Sequence, residues 1–134
     1  ETSFGLLNID KYLSFKEVAI NIKNNFLQFL IEQKKKKNSV IAYGAAAKGN
    51  TLINYSGVKE DLINYVSDAA ESKQNLFLPG SHIPIYPPDQ IKKTKPDYII
   101  ILPWNLKNEI SKQLDYVREW GCKFVTIIPN IKIF

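Results

Sequence analysis

The sequence has few of the residues that build metal sites, disulfides and histidine-dependent catalytic centres. Its 134 residues include one cysteine, Cys122, one histidine, His82, and no methionine. A lone cysteine excludes an internal disulfide or a cysteine-based zinc cluster within the chain, and a reducing compartment is then the default. A lone histidine excludes a multi-histidine metal site. We therefore predict no metal site and no catalytic residue in this chain, and we interpret Cys122 as a small core residue.

Long apolar runs are also missing. No stretch approaches the ~18 residues that a membrane span needs, and the start carries no signal-peptide pattern. These absences predict a cytoplasmic protein with no membrane partner. Because the chain begins at Glu1 and has no methionine, we expect a fragment of a longer chain. Its length, with 45% hydrophobic and 23% charged residues, is typical of one globular domain.

The positive charge has a simple explanation. Much of the net charge of +5 comes from the run Lys34–Lys37, which ends a helical pattern. Lysines at that place lie near the negative end of the helix dipole, where they are mildly stabilising. We therefore favour a solvated helix end and predict no nucleic-acid partner. The alternative is a nucleic-acid binder, whose affinity would fall steeply with salt.

The hydrophobic pattern alternates between helices and strands. Residues 1–13 are mixed and are interpreted as a linker from a preceding domain, and residues 14–134 as one domain. Ser14 and Glu17 form a capping-box pattern that predicts a helix start there. The predicted strands are 40–43, 62–67, 98–102 and 123–128, with edge strands near 83–86 and 131–134, and helices are predicted over 15–36, 51–55 and 106–120. Alternation with continuous apolar strands predicts an α/β fold, a Rossmann-like doubly wound and mostly parallel sheet with helices on both faces.

A glycine loop follows the first predicted strand. Gly44 and Gly49 match the outer positions of G-x-G-x-x-G, with Ala46 at the middle position and Lys48 before the last. Such a loop opens a helix whose free amides can bind an anion. Asp68 ends the second predicted strand, where an acidic side chain can bind ribose hydroxyls. The alternative is that both glycines only allow close packing between strand and helix.

Two further segments are candidates for ligand contacts. Trp104 and Asn105 follow the most apolar strand, and ligands of open α/β sheets bind beyond the carboxyl ends of strands. Asn105 could instead cap the next helix. His82 lies in a long loop, where a hydrogen bond to a phosphate or sugar oxygen competes with a merely structural role.

The exact amino-acid sequence of several segments indicates a family and not only a fold class. Their order along the chain is YGAAAKGNTL (43–52), LPGSHIPI (78–85), PDY (96–98), LPWN (102–105) and REWG (118–121). Together they resemble the C-terminal domain of S-adenosylmethionine-dependent C-methyltransferases that act on nucleotide-linked keto-deoxysugars. The resemblance covers nearly all of the chain from about residue 14, and GAAAKGN and LPWN are its most specific parts.

The resemblance implies a three-part enzyme. A zinc-binding domain and a middle domain that holds S-adenosylmethionine and the proton-abstracting base would precede this one. This domain would help to enclose the nucleotide-sugar substrate and would be inactive alone. The matching positions that the resemblance offers as substrate contacts are Gly44, Ala46, Lys48, Gly49, Asn50, His82, Trp104 and Asn105. The alternative is a stand-alone nucleotide-binding or regulatory module that takes NAD on the Gly44 loop and Asp68.

Overall fold

The fold of the chain is an alternation of helices with short strands. The computed structural model describes the backbone of residues 2–45, 47–128 and 131–134, and the side chains of these ranges from residue 16 onward. The strands are β1 (Val40–Tyr43), β2 (Val66–Ser67), β3 (Ile85–Tyr86), β4 (Tyr98–Ile101), β5 (Lys123–Thr126) and β6 (Lys132–Ile133). The α-helices are α1 (Thr2–Lys35), α2 (Ala47–Ser56), α3 (Asp89–Thr94) and α4 (Lys107–Gln113), with 3-10 segments at Trp104–Leu106 and Asp115–Trp120.

The strands form one six-stranded sheet in the order β3-β2-β1-β4-β5-β6. All neighbours pair in parallel except β6, which runs antiparallel to β5. This is the strand order of doubly wound dinucleotide-binding folds, in which the order reverses between β1 and β4. The predicted fold class is confirmed.

Helices cover the sheet on both faces because successive strand residues point to opposite sides. On one face Val40, Ala42 and Ile100 pack against Phe26 and Leu30 of α1 and against α2. On the other face a second cluster joins the sheet to α3, α4 and the 3-10 segment after it, through Ile41, Tyr43, Ile91, Ile99, Ile101, Ile110, Leu114, Val117 and Phe124. Because both faces carry a buried core, we expect the chain to fold by itself.

Two local predictions, a helix start and the length of a strand, are wrong. Helix α1 already begins at Thr2, so Ser14 lies inside a helix and does not cap one. With no proline before Pro79, nothing breaks the helix over this stretch. Residues 2–13 are thus helical, and the domain boundary at residue 14 stays a prediction. The predicted strand 62–67 is reduced to Val66–Ser67, because Ile63 N–H bonds back to the carbonyl of Lys59 in a turn.

The predicted helix over 106–120 is divided into two. Leu114 takes φ −102° and ψ 19°, which is outside the helical region, and the segment after it is a 3-10 helix. Gly121 ends that segment with φ 80°, as its position predicted. The last strand, β6, lies at the sheet edge as predicted.

The parallel strands give the sheet two distinct ends. We call the end where β1–β5 finish the carboxyl edge, and the end where they start the amino edge. The loops after β1, β2 and β4 lie at the carboxyl edge, and so does the start of α2. The C-terminus of α1, the C-terminus of α2 and the residues before each strand lie at the amino edge.

Candidate functional site

The Gly44 loop and the loop after β4 pack tightly against each other at the carboxyl edge. Gly44 has φ 95°, and a Cβ atom there would lie 2.6 Å from Cδ of Pro103. A Cβ atom on Gly49 would lie 2.7 Å from Cβ of Leu102. Both distances are too short for any side chain, so both glycines are needed for the packing of β1, α2 and β4. This geometry supports the packing interpretation for the two glycines.

Asp68 braces the Gly44 loop from the neighbouring strand. Its Oδ2 accepts the backbone N–H of Ala45 at 2.7 Å, and its Oδ1 accepts that of Ala70 at 2.8 Å. Carboxylates bound by backbone amides in this way are strong local anchors. Each carboxylate oxygen can accept a second hydrogen bond, so these two amides leave Asp68 able to accept from a further donor. The ligand contact predicted for Asp68 stays a prediction.

Lys73 completes the brace and was not predicted. Its Nζ donates to the carbonyl of Ala45 at 2.9 Å, and the side-chain amide of Gln74 donates to the carbonyl of Asp68 at 2.9 Å. Lys73 thereby places a second ammonium group beside the Gly44 loop. The sequence carries no signal for this contact, because the partner is a backbone carbonyl 28 residues away.

Lys48 and Trp104 come together across the two loops. The Nζ of Lys48 lies 5.8 Å from the centroid of the Trp104 ring, within cation–π range. Lys48 is exposed and lies in the first turn of α2, which holds no acidic residue. A lysine there faces the positive end of the helix dipole, where a cation is unfavourable by about 0.3–1 kcal/mol. The first turn of α2 therefore carries a cation and no acidic residue of its own.

The two asparagines of the site differ in their surroundings. Asn50 is half-buried in α2, and its Oδ1 is buried without a hydrogen-bond partner among the described residues. Asn105 is exposed in the 3-10 segment after β4. It does not cap α4, whose N-cap position is Leu106 without a side-chain hydrogen bond. Ala46, the middle position of the predicted loop motif, lies outside the described residues.

His82 lies away from these residues. Residues 75–77 run antiparallel to β3, so the loop from Leu78 to Ile83 lies at the amino edge. Asn54, in the last turn of α2, donates to the carbonyl of Pro79 in this loop at 3.0 Å. Since α2 rises about 15 Å along its ten residues, its length separates His82 from the Gly44 loop. His82 is exposed with φ 58°, and its predicted contact with substrate stays a prediction.

Tyrosines occupy the α3–α4 side of the carboxyl edge. Burial, reinforced by the charge of Asp68, raises the pKa of Tyr43 above its usual value, although a hydrogen bond from Gln113 opposes the shift. Burial also raises the pKa of Tyr116, helped by Tyr43 and Asp89. Both phenols therefore keep their protons at neutral pH and can donate hydrogen bonds.

Cys122 lies at the amino edge, just before β5, and is almost fully buried. Burial raises the pKa of its thiol from 9.0 to about 12, against a lowering influence of Arg118. A thiol that stays protonated and inaccessible is inert. Its interpretation as a core residue is confirmed.

The lysine run borders a cavity at the amino edge. This cavity has a volume of about 340 Å³ and is lined by Lys34, Lys37, Asn38, Ser39, Val40, Asp61, Leu62 and Asn64. Lys34 donates to the carbonyl of Asp61 at 2.8 Å, and Lys36 forms an ion pair with Glu32 at 3.1 Å. These lysines are therefore partly engaged in local contacts, as expected of a solvated helix end.

Two absences hold for the part of the chain that the structure describes. No group of three or more histidine, cysteine, aspartate or glutamate side chains lies close enough to hold a metal ion. Within the same ranges, none of the helices combines the length and the apolar character that a membrane crossing requires.

The strand order and the loops at the carboxyl edge define an α/β domain of the Rossmann-like class. Its backbone is similar to UDP-D-quinovosamine 4-dehydrogenase from Vibrio fischeri, with a TM-score of 0.52 and 18% identity over 72% of this chain and 93% of that chain. At this identity the likeness shows the fold alone.

A family model described as the C-methyltransferase C-terminal domain matches residues 1–129. The chain is also 30% identical over 133 residues to C-methyltransferase NovU from Streptomyces niveus. The aligned region covers 99% of this chain and 32% of that protein. The chain belongs to the C-methyltransferase C-terminal domain family, and the resemblance seen in its motifs is confirmed. It spans about a third of the length of this curated relative.

Proposed function

We propose that this chain is the substrate-side domain of an S-adenosylmethionine-dependent C-methyltransferase that acts on a nucleotide-linked keto-deoxysugar. Its partners would be the nucleotide-sugar and the preceding zinc-binding and donor-binding domains of the same polypeptide. Family membership supports the methyltransferase part of this proposal. The 32% coverage of the relative agrees with a domain that works as one part of a longer enzyme.

One observation carries the substrate side of the proposal. Lys48 lies in the first turn of α2, where the helix dipole opposes a cation, and it faces Trp104 across the switch point between β1 and β4. A bound anion would turn this unfavourable placement into a favourable one, because the dipole and the ammonium group would both attract it. A nucleotide-linked sugar carries such an anion in its diphosphate.

The role of this domain in the reaction would be binding and orientation. Lys48 would hold the diphosphate, with Lys73 bound to the Gly44 loop before it, and Trp104 and Asn105 would border the substrate. Holding a substrate in a fixed position contributes to the rate by prepaying its orientational entropy. S-adenosylmethionine would supply the methyl group, and the family resemblance implies that its site lies on the domain that precedes this one. We therefore expect the donor and the base on the preceding domain.

The binding half of the proposal is tested by calorimetric titration of the chain. The ligands are thymidine diphosphate, a thymidine-diphosphate sugar, S-adenosylmethionine and NAD. We expect only the first two to bind, and Lys48→Ala to weaken them about tenfold or more through loss of a charge-assisted contact. Lys59→Ala, which removes an exposed lysine at the amino edge, is the matched control and leaves both affinities unchanged. Binding of NAD alone would replace the proposal with the nucleotide module.

The second half concerns activity. We expect no methyl transfer when the chain is incubated with S-adenosylmethionine and the nucleotide-sugar, because the donor site and the base lie elsewhere. The assay follows transfer of a labelled methyl group. A measurable turnover by the chain alone would contradict the division of labour proposed here.

A further inference from the structure

The cavity at the amino edge has the volume of a site for a small molecule. Its volume of about 340 Å³ lies at the lower end of the roughly 300–1,000 Å³ that such sites occupy. The end of α1, the start of β1 and the segment before β2 line it together. Since α2 rises about 15 Å between the two edges of the sheet, this cavity is separate from the Lys48 loop.

Hydrogen bonds hold the walls of this cavity in place. On the side of α1, the side-chain amide of Asn38 donates to Oε1 of the buried Gln33 at 2.8 Å. On the side of the sheet, the N–H of Asn64 donates to the carbonyl of Val40 at 3.1 Å. A cavity whose walls are already ordered can bind a ligand without a further loss of entropy in those walls.

Lys37 lines the cavity in a backbone conformation that is costly for a lysine. It follows the last turn of α1 with φ 61°, a left-handed position that glycine usually fills after a helix. Side chains persist in such conformations where the surrounding structure fixes them, and these positions are frequent at functional sites. Lys37 therefore brings an ammonium group to this cavity at the expense of stability.

The charges around the cavity have both signs. Lys34 and Lys37 supply two ammonium groups, and the exposed Asp61 supplies a carboxylate. The end of α1 adds the negative pole of the helix dipole, which amounts to about half an elementary charge. An anion would be repelled by Asp61 and the helix end, and a cation would be repelled by the lysines. A molecule that carries both charges satisfies the two sets of groups at once.

We propose that the cavity at the amino edge binds a small zwitterion, a free α-amino acid with an aliphatic side chain. Its carboxylate would face Lys34 and Lys37, and its ammonium group would face Asp61 and the end of α1. Val40 and Leu62 supply the apolar part of the lining, which suits an aliphatic side chain. This inference does not rest on the proposed function, because none of these groups belongs to the carboxyl edge.

The test compares leucine with two analogues that each lack one charge. Isocaproate lacks the ammonium group of leucine, and isoamylamine lacks its carboxylate. Each compound is titrated into the isotope-labelled chain, and the amide signals of Val40 and Asn64 report binding by NMR. Because exposed ion pairs are weak, we expect a millimolar dissociation constant for leucine and about two- to fivefold weaker binding of each analogue.

Two variants remove one charge each from the cavity. Lys37→Gly should bind leucine about two- to fivefold more weakly, while the relaxed backbone makes the chain more stable. Its matched control is Lys95→Gly, since Lys95 ends α3 with φ 48° and does not line the cavity. This control should gain similar stability and keep the affinity of the parent chain. Asp61→Asn should weaken leucine by a similar factor, with the neighbouring exposed Glu60→Gln as its control.

Three results would overturn the proposal. If isocaproate binds as tightly as leucine, the cavity is an anion site, and if isoamylamine does so, it is a cation site. If leucine binds but Lys37→Gly and Asp61→Asn leave its affinity unchanged, leucine lies elsewhere on the chain. If leucine moves neither amide signal, the cavity holds no amino acid of this kind. Because Lys37→Gly should raise stability while it lowers affinity, a weaker affinity in this variant does not reflect an unfolded protein.

Discussion

The two edges of the sheet differ in how their loops are held. At the carboxyl edge, Asp68 and Lys73 fix the Gly44 loop through its amide and its carbonyl, and the glycines leave no room for a side chain. At the amino edge, Asp97 fixes Ser39 in a similar way, at 2.8 Å, but the neighbouring loops surround a cavity of about 340 Å³.

The comparison teaches that open space and the groups that attract an anion lie at different edges of the sheet. The cavity is lined mainly by lysines and polar residues at the C-terminus of α1, where the dipole is negative and an anion is not favoured. The carboxyl edge combines the start of α2 with Lys48, Lys73 and Trp104. Rigid support is what a binding site needs to keep its geometry.

The largest effect is expected from filling the tight contact at the carboxyl edge. Gly44→Ala should lower the free energy of unfolding by about 3 kcal/mol or more, through a left-handed backbone and a collision with Pro103. The control is Gly57→Ala at the amino edge, where φ is also positive but no atom lies within 4 Å. It should cost about 1 kcal/mol. Equal losses in urea unfolding would remove the distinction between the edges.

Alkaline pH should act on the amino edge through Cys122. Its pKa is raised from 9.0 to about 12 in the folded chain, so unfolding releases a proton between these values. The contribution of the neutral thiol to the free energy of unfolding is fully present below pH 9 and is lost as the pH rises toward 12. At pH 11 this loss amounts to about 2–3 kcal/mol. Cys122→Ala should flatten this part of the stability–pH curve, measured by urea unfolding at several pH values. An unchanged slope would show that the thiol is not the group responsible.

A smaller effect is expected from the two carboxylates that hold the loops. Asp68→Ala and Asp97→Ala should each lower stability by about 1–2 kcal/mol, since each leaves backbone N–H groups without an acceptor. Only Asp68→Ala should also lower the affinity for thymidine diphosphate, because only the loop that Asp68 holds borders the proposed site. Calorimetry on the two variants separates them, and equal weakening would contradict the assignment of the site to one edge.

The smallest effect on stability is expected from Lys48→Ala. The variant loses a cation–π contact but also an unfavourable charge at the start of α2, so stability should change by less than about 0.5 kcal/mol. A thermal scan measures this. A large loss would mean that Lys48 serves the fold and not an anion.

The order of strands and helices was accessible from the sequence because hydrophobic periodicity is local. The Gly44 loop, the helix after it and the strand that ends at Ile101 were predicted for this reason. The brace by Lys73 and the alignment of Tyr43 with Ser67 and Tyr86 were not, because both depend on pairings between distant segments. Likewise, His82 was grouped with the loop residues, since nothing local shows that residues 75–77 fold back along β3.

Helix α1 has a geometric consequence of its own. Its 34 residues span about 51 Å, whereas its buried residues within the described side chains lie between Phe26 and Gln33. The described part of the helix is therefore anchored in the core through its last turns. Inserting one residue between Val18 and Phe26 would rotate the preceding turns by about 100° about the helix axis and advance them by about 1.5 Å. The number of residues in α1 would thus set the direction in which a segment joined to its N-terminal end faces.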